Sequence, residues 1–454
     1  MTEQEHLFRL TQDPDATPHP IRKTIRDAGD AREQDAYARL YEDVFDQLDA
    51  LDGRLAEQRF LSGDTEPSAA DWALYVVLLR FDPIYYGLFK LNRDRLQDFP
   101  QLGDWLRDLY QRPGISETLD LTAAVKDAYI SRPDLNPKQT WPVGLPDYDA
   151  PHRRGRFDRT ALRASGTEES GKGTRKGAFV RGKRQHRGGI SPDQAEPGRY
   201  HLIVADNCPW CHRCTLTRAI LGLQDVISMD TLYFRRDPDR GWQFRPDIEG
   251  FDADSLHGVR FVRELYERIG STEKSVPILW DKREDTLVNN ESAEIIRMMD
   301  RSFRTFAHAP SLTPADLLDE IDWYNDWIWR DINNGSYKAG FSSNQMVYQG
   351  AFQRFFNALD RLERIFAQRQ FLCGDRMTEA DVRLFPTLFR LDAVYYTRFK
   401  LNRTMVKDTV HLKRWFAEML EVPGVMEASN LERCKQGYFG RHGNEIVPIG
   451  PADR

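Results

Sequence analysis

Apolar residues recur at three- and four-residue spacing from Tyr37 onward: Leu40, Val44, Leu48, Leu51 and Leu55 share one face and predict a long amphipathic helix. The segment Phe60-Leu61-Ser62-Gly63-Asp64 breaks that period. Ser68 opens a second helix carrying Asp71, Trp72, Tyr75 and Leu78, and a third covers Leu102 to Tyr110. The first 135 residues read as all-helical, after a polar lead-in over residues 1–36 with room for one short helix. The pattern changes in mid-chain. Tyr200-His201-Leu202-Ile203-Val204 is a short apolar run of strand type, and Leu216, Ile220, Leu221 and Leu223 return to helical spacing. A second strand is predicted over Val226 to Tyr233 and a helix over Arg260 to Ile269. Ser275 to Asp281 then forms a third strand, Thr286 to Asn289 its hairpin partner, and Glu291 to Ile296 the opening of a closing helix.

The helical text of the first part returns near the C-terminus. Phe60-Leu61-Ser62-Gly63-Asp64 matches Phe371-Leu372-Cys373-Gly374-Asp375, Arg80-Phe81-Asp82 matches Arg390-Leu391-Asp392, and Tyr85-Tyr86 matches Tyr395-Tyr396. Phe89-Lys90-Leu91-Asn92-Arg93 recurs unchanged as Phe399-Lys400-Leu401-Asn402-Arg403. Trp105 matches Trp415. Helical periodicity alone would not fix charged and aromatic identities, so a whole domain is duplicated rather than a short repeat.

At 454 residues the chain has room for about three domains. A formal net charge of −6 gives no general attraction to nucleic acid or an anionic membrane. No apolar run is long enough to span a bilayer, and Met1 to His6 lacks the marks of a secretory signal, so a cytoplasmic location is expected. Arg153 to Gly189 holds twelve Lys and Arg, three Asp and Glu, and eight Gly, with few large apolar residues. This composition suits a solvated linker or a basic arm for an anionic partner. The resulting domains are 1–150 (all-α), 151–197 (linker), 198–305 (α/β) and 306–454 (all-α).

Three of the five cysteines, Cys208, Cys211 and Cys214, stand within seven positions, which is not the spread of a disulfide framework. Cys208-Pro209-Trp210-Cys211 follows a strand and opens a helix. There a cysteine meets unpaired N–H groups and the positive end of the helix dipole, both of which favour thiolate. The rival reading, a structural zinc site, needs two further close ligands, and no second Cys pair or paired-His motif is present. The element order βαβα then ββα is that of a thioredoxin domain, with Val276-Pro277 in the place of the cis-proline loop.

Several longer motifs narrow this plan: Cys208-Pro209-Trp210 with His212-Arg213, Gly241-Trp242, Val276 to Lys282, Asn290 to Met298, Asn333 to Phe341 and Ile449-Gly450-Pro451. Together they resemble the glutathionyl-hydroquinone reductases, the Xi class of the glutathione S-transferases. The resemblance implies a thioredoxin-like domain followed by an all-α transferase domain, here with a second copy of the all-α domain at the N-terminus. It implies glutathione, or a related small thiol, as co-substrate, no metal, a glutathionylated hydroquinone as substrate, and a homodimer. Cys208 would be the nucleophile; Trp242, Val276, Pro277, Glu291 and Ser292 would hold glutathione; Tyr337, Tyr395 and Tyr438 would surround the aromatic ring. A helix N-terminus at Glu291-Ser292 independently suits an amino acid headgroup.

Two features depart from the family pattern. Cys211 stands where alanine is usual, either as a thiol able to resolve a Cys208–glutathione disulfide or as a small buried residue. The extra N-terminal copy brings no cysteine. Its Tyr85 and Tyr129 align with Tyr395 and Tyr438, and Arg26 falls at the place of Tyr337. It is expected to pack as a pseudo-subunit against the catalytic half. The leading reading is a glutathione-dependent reductase of S-glutathionyl-hydroquinones; a glutaredoxin-like transferase using Cys208 and Cys211, or a non-catalytic scaffold, are the alternatives.

Overall fold

The computed structural model describes residues 19–63, 66–152, 154, 179, 186–440 and 443–451. The N-terminal copy comprises α1 (Pro20–Asp30), α2 (Gln34–Glu57), α3 (Ala69–Leu78), α4 (Leu102–Tyr110) and α5 (Leu121–Ile130). The α/β unit follows as β1 (Tyr200–Val204), α6 (Pro209–Ile220), β2 (Ser228–Thr231), α7 (Val262–Arg268), β3 (Ile278–Asp281), β4 (Thr286–Asn289) and α8 (Ser292–Ser302). The C-terminal copy holds α9 (Leu318–Ile328), α10 (Asn334–Gly340), α11 (Gln345–Phe366), α12 (Glu379–Phe389), α13 (His411–Glu421) and α14 (Leu431–Phe439).

The strand order is β2-β1-β3-β4, with β1 and β2 parallel and the other pairs antiparallel. β2 is shorter than its apolar run. Val226 and Ile227 donate back to Leu223 in a turn, and Tyr233 pairs with Gln243 instead of the sheet. Both ends of the segment read as a linker are held in place. Arg154 is buried, donating to the carbonyls of Leu55 and Gln58 at the end of α2. Residues 186–188 line the β4 edge through Gly188 N–H to Val288 and Asn290 N–H to His186. Most of the basic, glycine-rich stretch between lies outside the described residues.

The repeated text marks repeated physics. Asp71 accepts from the N–H groups of Leu61 and Ser68 and from the Trp105 indole. Asp381 accepts from Leu372, Thr378 and Trp415 in the same way. Each aspartate closes a capping box and ties a loop to a fully buried tryptophan. Losing such a cap costs about 1 kcal/mol, and the orphaned indole adds about 1–3 kcal/mol.

The unchanged Phe-Lys-Leu-Asn-Arg pentapeptide joins the two copies. Lys90 and Lys400 take left-handed backbone angles (φ 61° and 56°), and their carbonyls accept from Tyr37 and Tyr348. Asn92 then donates to Gly450, whereas Asn402 donates to Gly144. Each copy thus grips the tail of the other. Gln34 pairs both ways with the backbone of Val447, and Gln345 does so with Trp141. Both tail glycines are required by close approach: a Cβ at Gly450 would lie 2.5 Å from the Asn92 carbonyl oxygen, and one at Gly144 2.9 Å from that of Asn402. Between the clasps Tyr86 meets its own counterpart Tyr396, ring centroids 5.5 Å apart. Arg95 forms a bidentate pair with Asp408 at 2.6 and 2.7 Å, and Lys407 reaches Asp98. The contacts are those of a two-fold pair formed within one chain.

One expected equivalence changes. Asp120 and Asn430 cap α5 and α14 alike. Lys400 lies over the Tyr129 ring as Lys90 lies over Phe439. Tyr129 is therefore the counterpart of Phe439, not of Tyr438. The identity match at Tyr129 misled by one position because the helix caps set the register.

Candidate active site

Cys208 is the N-cap of α6, with extended backbone angles, and its sulfur accepts from the Cys211 N–H at 3.4 Å. Pro209 takes the first helical position, where no N–H is needed. Burial alone would raise the Cys208 thiol. The Cys211 thiol, the N–H groups of Cys211 and Trp210, and the Arg390 charge outweigh it and hold Cys208 down at about 6. Cys211 goes the other way: burial, the hydrogen bond to Cys208 and its negative charge push that thiol well above its usual value. The pair is thus divided into one thiolate and one protonated donor. Cys208 is 9% exposed and Cys211 1%, so a reagent from solution meets Cys208 first. Cys214 is buried and its thiol points to the Trp210 carbonyl, a packing role.

Sheet register brings the proposed glutathione residues to the same end. β1 and β3 pair Ile203 with Ile278, so the Val276-Pro277 cis peptide falls beside the β1 exit that leads to Cys208. The Val276 main chain makes no hydrogen bond among the described residues, which leaves an edge for a peptide-like ligand. β4 leads directly into α8, whose N-cap is Glu291; its carboxylate accepts from Ala293 N–H at 3.2 Å and from Ser292 Oγ at 3.4 Å. α8 packs on α6, and the Glu291 charge acts on Arg213. Trp242 is mostly buried in the loop after β2, with the Arg236 guanidinium 5.5 Å over its ring. Val276 and Glu291 thus lie at the end of the sheet where β1 leads to Cys208.

The three tyrosines meet. Tyr337 and Tyr438 hydroxyls are 2.5 Å apart, and Tyr395 and Tyr438 hydroxyls 3.2 Å. Burial pushes the Tyr395 and Tyr438 phenols well above 10, so they stay protonated and able to donate. Tyr395 ends a π-helical turn over Leu391–Tyr395, in which its N–H reaches back to Arg390. Trp210, beside Cys208, lies 6.0 Å from the Tyr337 ring, joining the thiol motif to the aromatic group.

Three residues to which the sequence assigns no site role also reach this region. Arg390 is fully buried between the two halves; it donates to the Asp206 carbonyl, to Pro386 and to His212 Nδ1. Ser429 donates to Val425, so it accepts from His212 Nε2, and the imidazole is neutral with its proton on Nε2. The repeat flags Arg390 through Arg80, but Arg80 makes the same backbone bond to Val76, so repetition alone points to structure. Phe179, from the segment read as linker, packs 6.0 Å from Tyr337 and 5.5 Å from Phe341. Cys434, which carries no motif, bonds the Asp206 carbonyl just ahead of Cys208. Among the described residues no group of His, Cys, Asp and Glu could hold a metal ion, and no helix is long and apolar enough to cross a membrane.

The fold agrees with that of known proteins. The glutathione S-transferase N-terminal domain model matches residues 207–302, and the C-terminal domain model matches twice, at 34–108 and 345–418. The chain is 39% identical over 285 residues to the glutathionyl-hydroquinone reductase PcpF of Sphingobium chlorophenolicum, spanning 61% of this chain and 90% of that protein. It is 38% identical over 268 residues to the glutathionyl-hydroquinone reductase YqjG of Escherichia coli, spanning 57% and 80%. Among solved structures it resembles the Xi glutathione S-transferase of Phanerochaete chrysosporium (TM-score 0.58, 38% identity, 61% of this chain and 93% of that one). It also resembles the glutathione-bound structure of YqjG (TM-score 0.55, 38% identity, 57% and 87%).

Proposed function

The chain belongs to the glutathionyl-hydroquinone reductases, the Xi class of the glutathione S-transferases, and from that premise we propose that it reduces S-glutathionyl-hydroquinones through a mixed disulfide on Cys208. It is an enzyme that uses glutathione as co-substrate. The observation that carries the finer reading is the lowered Cys208 thiol, linked through Trp210 to three converging tyrosine hydroxyls.

In this reading Glu291 and Ser292 hold the amino acid end of glutathione, Val276 pairs with its backbone, and Trp242 closes the site. The ring of the conjugate lies among Tyr337, Tyr395 and Tyr438. Cys208 thiolate attacks the glutathione sulfur. A sulfur–sulfur bond forms and the aryl carbon–sulfur bond breaks. Its electron pair passes to the ring carbon, which takes up a proton to give the hydroquinone. The tyrosine hydroxyls hydrogen-bond the phenolic oxygens as charge shifts within the ring. A second glutathione thiolate then attacks the Cys208 disulfide, so one disulfide of glutathione leaves and the ring is reduced by two electrons.

Cys211 enters as a hydrogen-bond donor to the thiolate. Its place against the Cys208 sulfur also favours a second reading, a dithiol cycle in which Cys211 expels glutathione, as in a glutaredoxin-like transferase. We take the N-terminal copy as a pseudo-subunit. It covers the face of the C-terminal copy around Tyr396 and Asp408, so a homodimer would use another face. The functional test is Cys208→Ser: release of hydroquinone should stop while far-UV circular dichroism stays native, and retained turnover overturns the assignment.

A further inference from the structure

Away from Cys208, a cavity lies on the seam between the two helical copies, lined by Lys90 and Lys138 from the N-terminal part and by Arg398 and Lys400 from the C-terminal copy. No carboxylate lines it, and none of these four cations makes an ion pair among the described residues. Their partners are neutral. Lys90 Nζ donates to Asn444 Oδ1 and the Ile446 carbonyl, Lys400 Nζ to Thr140 Oγ1, and Arg398 Nε to the Tyr438 carbonyl. Lys138 Nζ lies 4.5 Å over the Phe341 ring. Tyr129 and Phe439 form matching aromatic walls under Lys400 and Lys90.

Four like charges converging on one partly buried space repel each other and lose hydration. Burial first, then Arg398 and other nearby cations, pull Lys90 and Lys400 down to about 7 and Lys138 to about 8. A negative ligand between them would remove both costs, and flexible ammonium groups with a guanidinium fork suit a planar or tetrahedral oxyanion. We infer that the seam cavity binds a small oxyanion, carboxylate or phosphate in kind, held jointly by both copies. Occupancy bears on the aromatic pocket, because Arg398 holds the Tyr438 carbonyl and Lys138 packs on Phe341, whose ring is 5.2 Å from Tyr337. The oxyanion is either free in solution or the acid group of an aromatic substrate.

Isothermal titration of the full chain with inorganic phosphate, at constant ionic strength set by chloride, tests the free form. Saturable binding is expected, weakened about tenfold by Lys138→Gln and kept by Lys138→Arg, the loss expected for one charge-assisted contact. Lys400→Met, checked for an unchanged thermal midpoint, should weaken it likewise. The substrate-borne form is tested by turnover of a carboxylate-bearing and a neutral glutathionyl-hydroquinone: Lys138→Gln should raise KM about tenfold for the first only. Either result supports the site and identifies the source. Phosphate heats equal to the chloride control, together with unchanged KM values, overturn it, as does phosphate binding that survives both neutral variants. Cys208→Ser must bind phosphate as the native chain does, which separates this site from the reductase reading.

Discussion

Replacing Cys211 with alanine removes the thiol that hydrogen-bonds the Cys208 sulfur while leaving the Cys211 N–H in place. A hydrogen bond to a charged acceptor is worth about 1.5 kcal/mol. That corresponds to about one pKa unit. Cys208 titrates at about 6 in the native chain. In the variant the titration midpoint of Cys208 is therefore expected to move upward by about one pH unit. Thiolate is the deprotonated form, so raising this value lowers the reactive fraction at any fixed pH. Near pH 7 that fraction falls from about nine-tenths to about one-half. The assay is the rate of Cys208 alkylation by iodoacetamide across pH, with the modified residue identified by mass. A midpoint that stays at the native value, or falls, would refute the assignment of Cys211 as a donor to the thiolate. It would also leave the helix N-terminus and Arg390 as the remaining sources of the low value.

Two further outcomes test the rest of the site. Tyr438→Phe removes the hydroxyl shared by Tyr337 and Tyr395. Hydroquinone release should fall about 10- to 100-fold, the range for lost transition-state hydrogen bonding, while reduction of a small disulfide is nearly unchanged; equal losses in both favour the glutaredoxin-like reading. Deletion of residues 1–150 exposes the seam around Tyr396 and Asp408, and light scattering should show a changed number of chains per particle; an unchanged number refutes the pseudo-subunit reading.

The sequence carries the parts of this molecule that depend on local order. A cysteine at a strand-to-helix turn, a proline at the start of β3 and a capping glutamate before α8 are each fixed by neighbours a few residues away. Their meeting point follows from strand register, which the unbroken apolar runs of β1 and β3 do not spell out by themselves. The duplication is legible because buried tryptophans and capping aspartates tolerate few substitutes. What stays hidden depends on distant segments. Nothing near Asn92 or Asn402 says that each holds the tail of the other copy. Arg390 acts on Cys208 only because α12 docks against the β1 exit, and Phe179 reaches Tyr337 from a stretch whose composition resembles linker. The Tyr129 equivalence failed for a related reason: identity suggested one register, and the helix caps imposed another.

The mechanism depends on Cys208 taking the glutathionyl group. The most direct measurement is intact mass after the protein meets a glutathionyl-hydroquinone without free glutathione, on the native chain and on Cys211→Ser. A glutathione adduct on Cys208 in both, with hydroquinone released, is the expected result. An adduct on the variant alone, with loss of two protons from the native chain, would move Cys211 from donor to resolving thiol. If neither protein carries an adduct and no hydroquinone appears, the mixed-disulfide mechanism is contradicted.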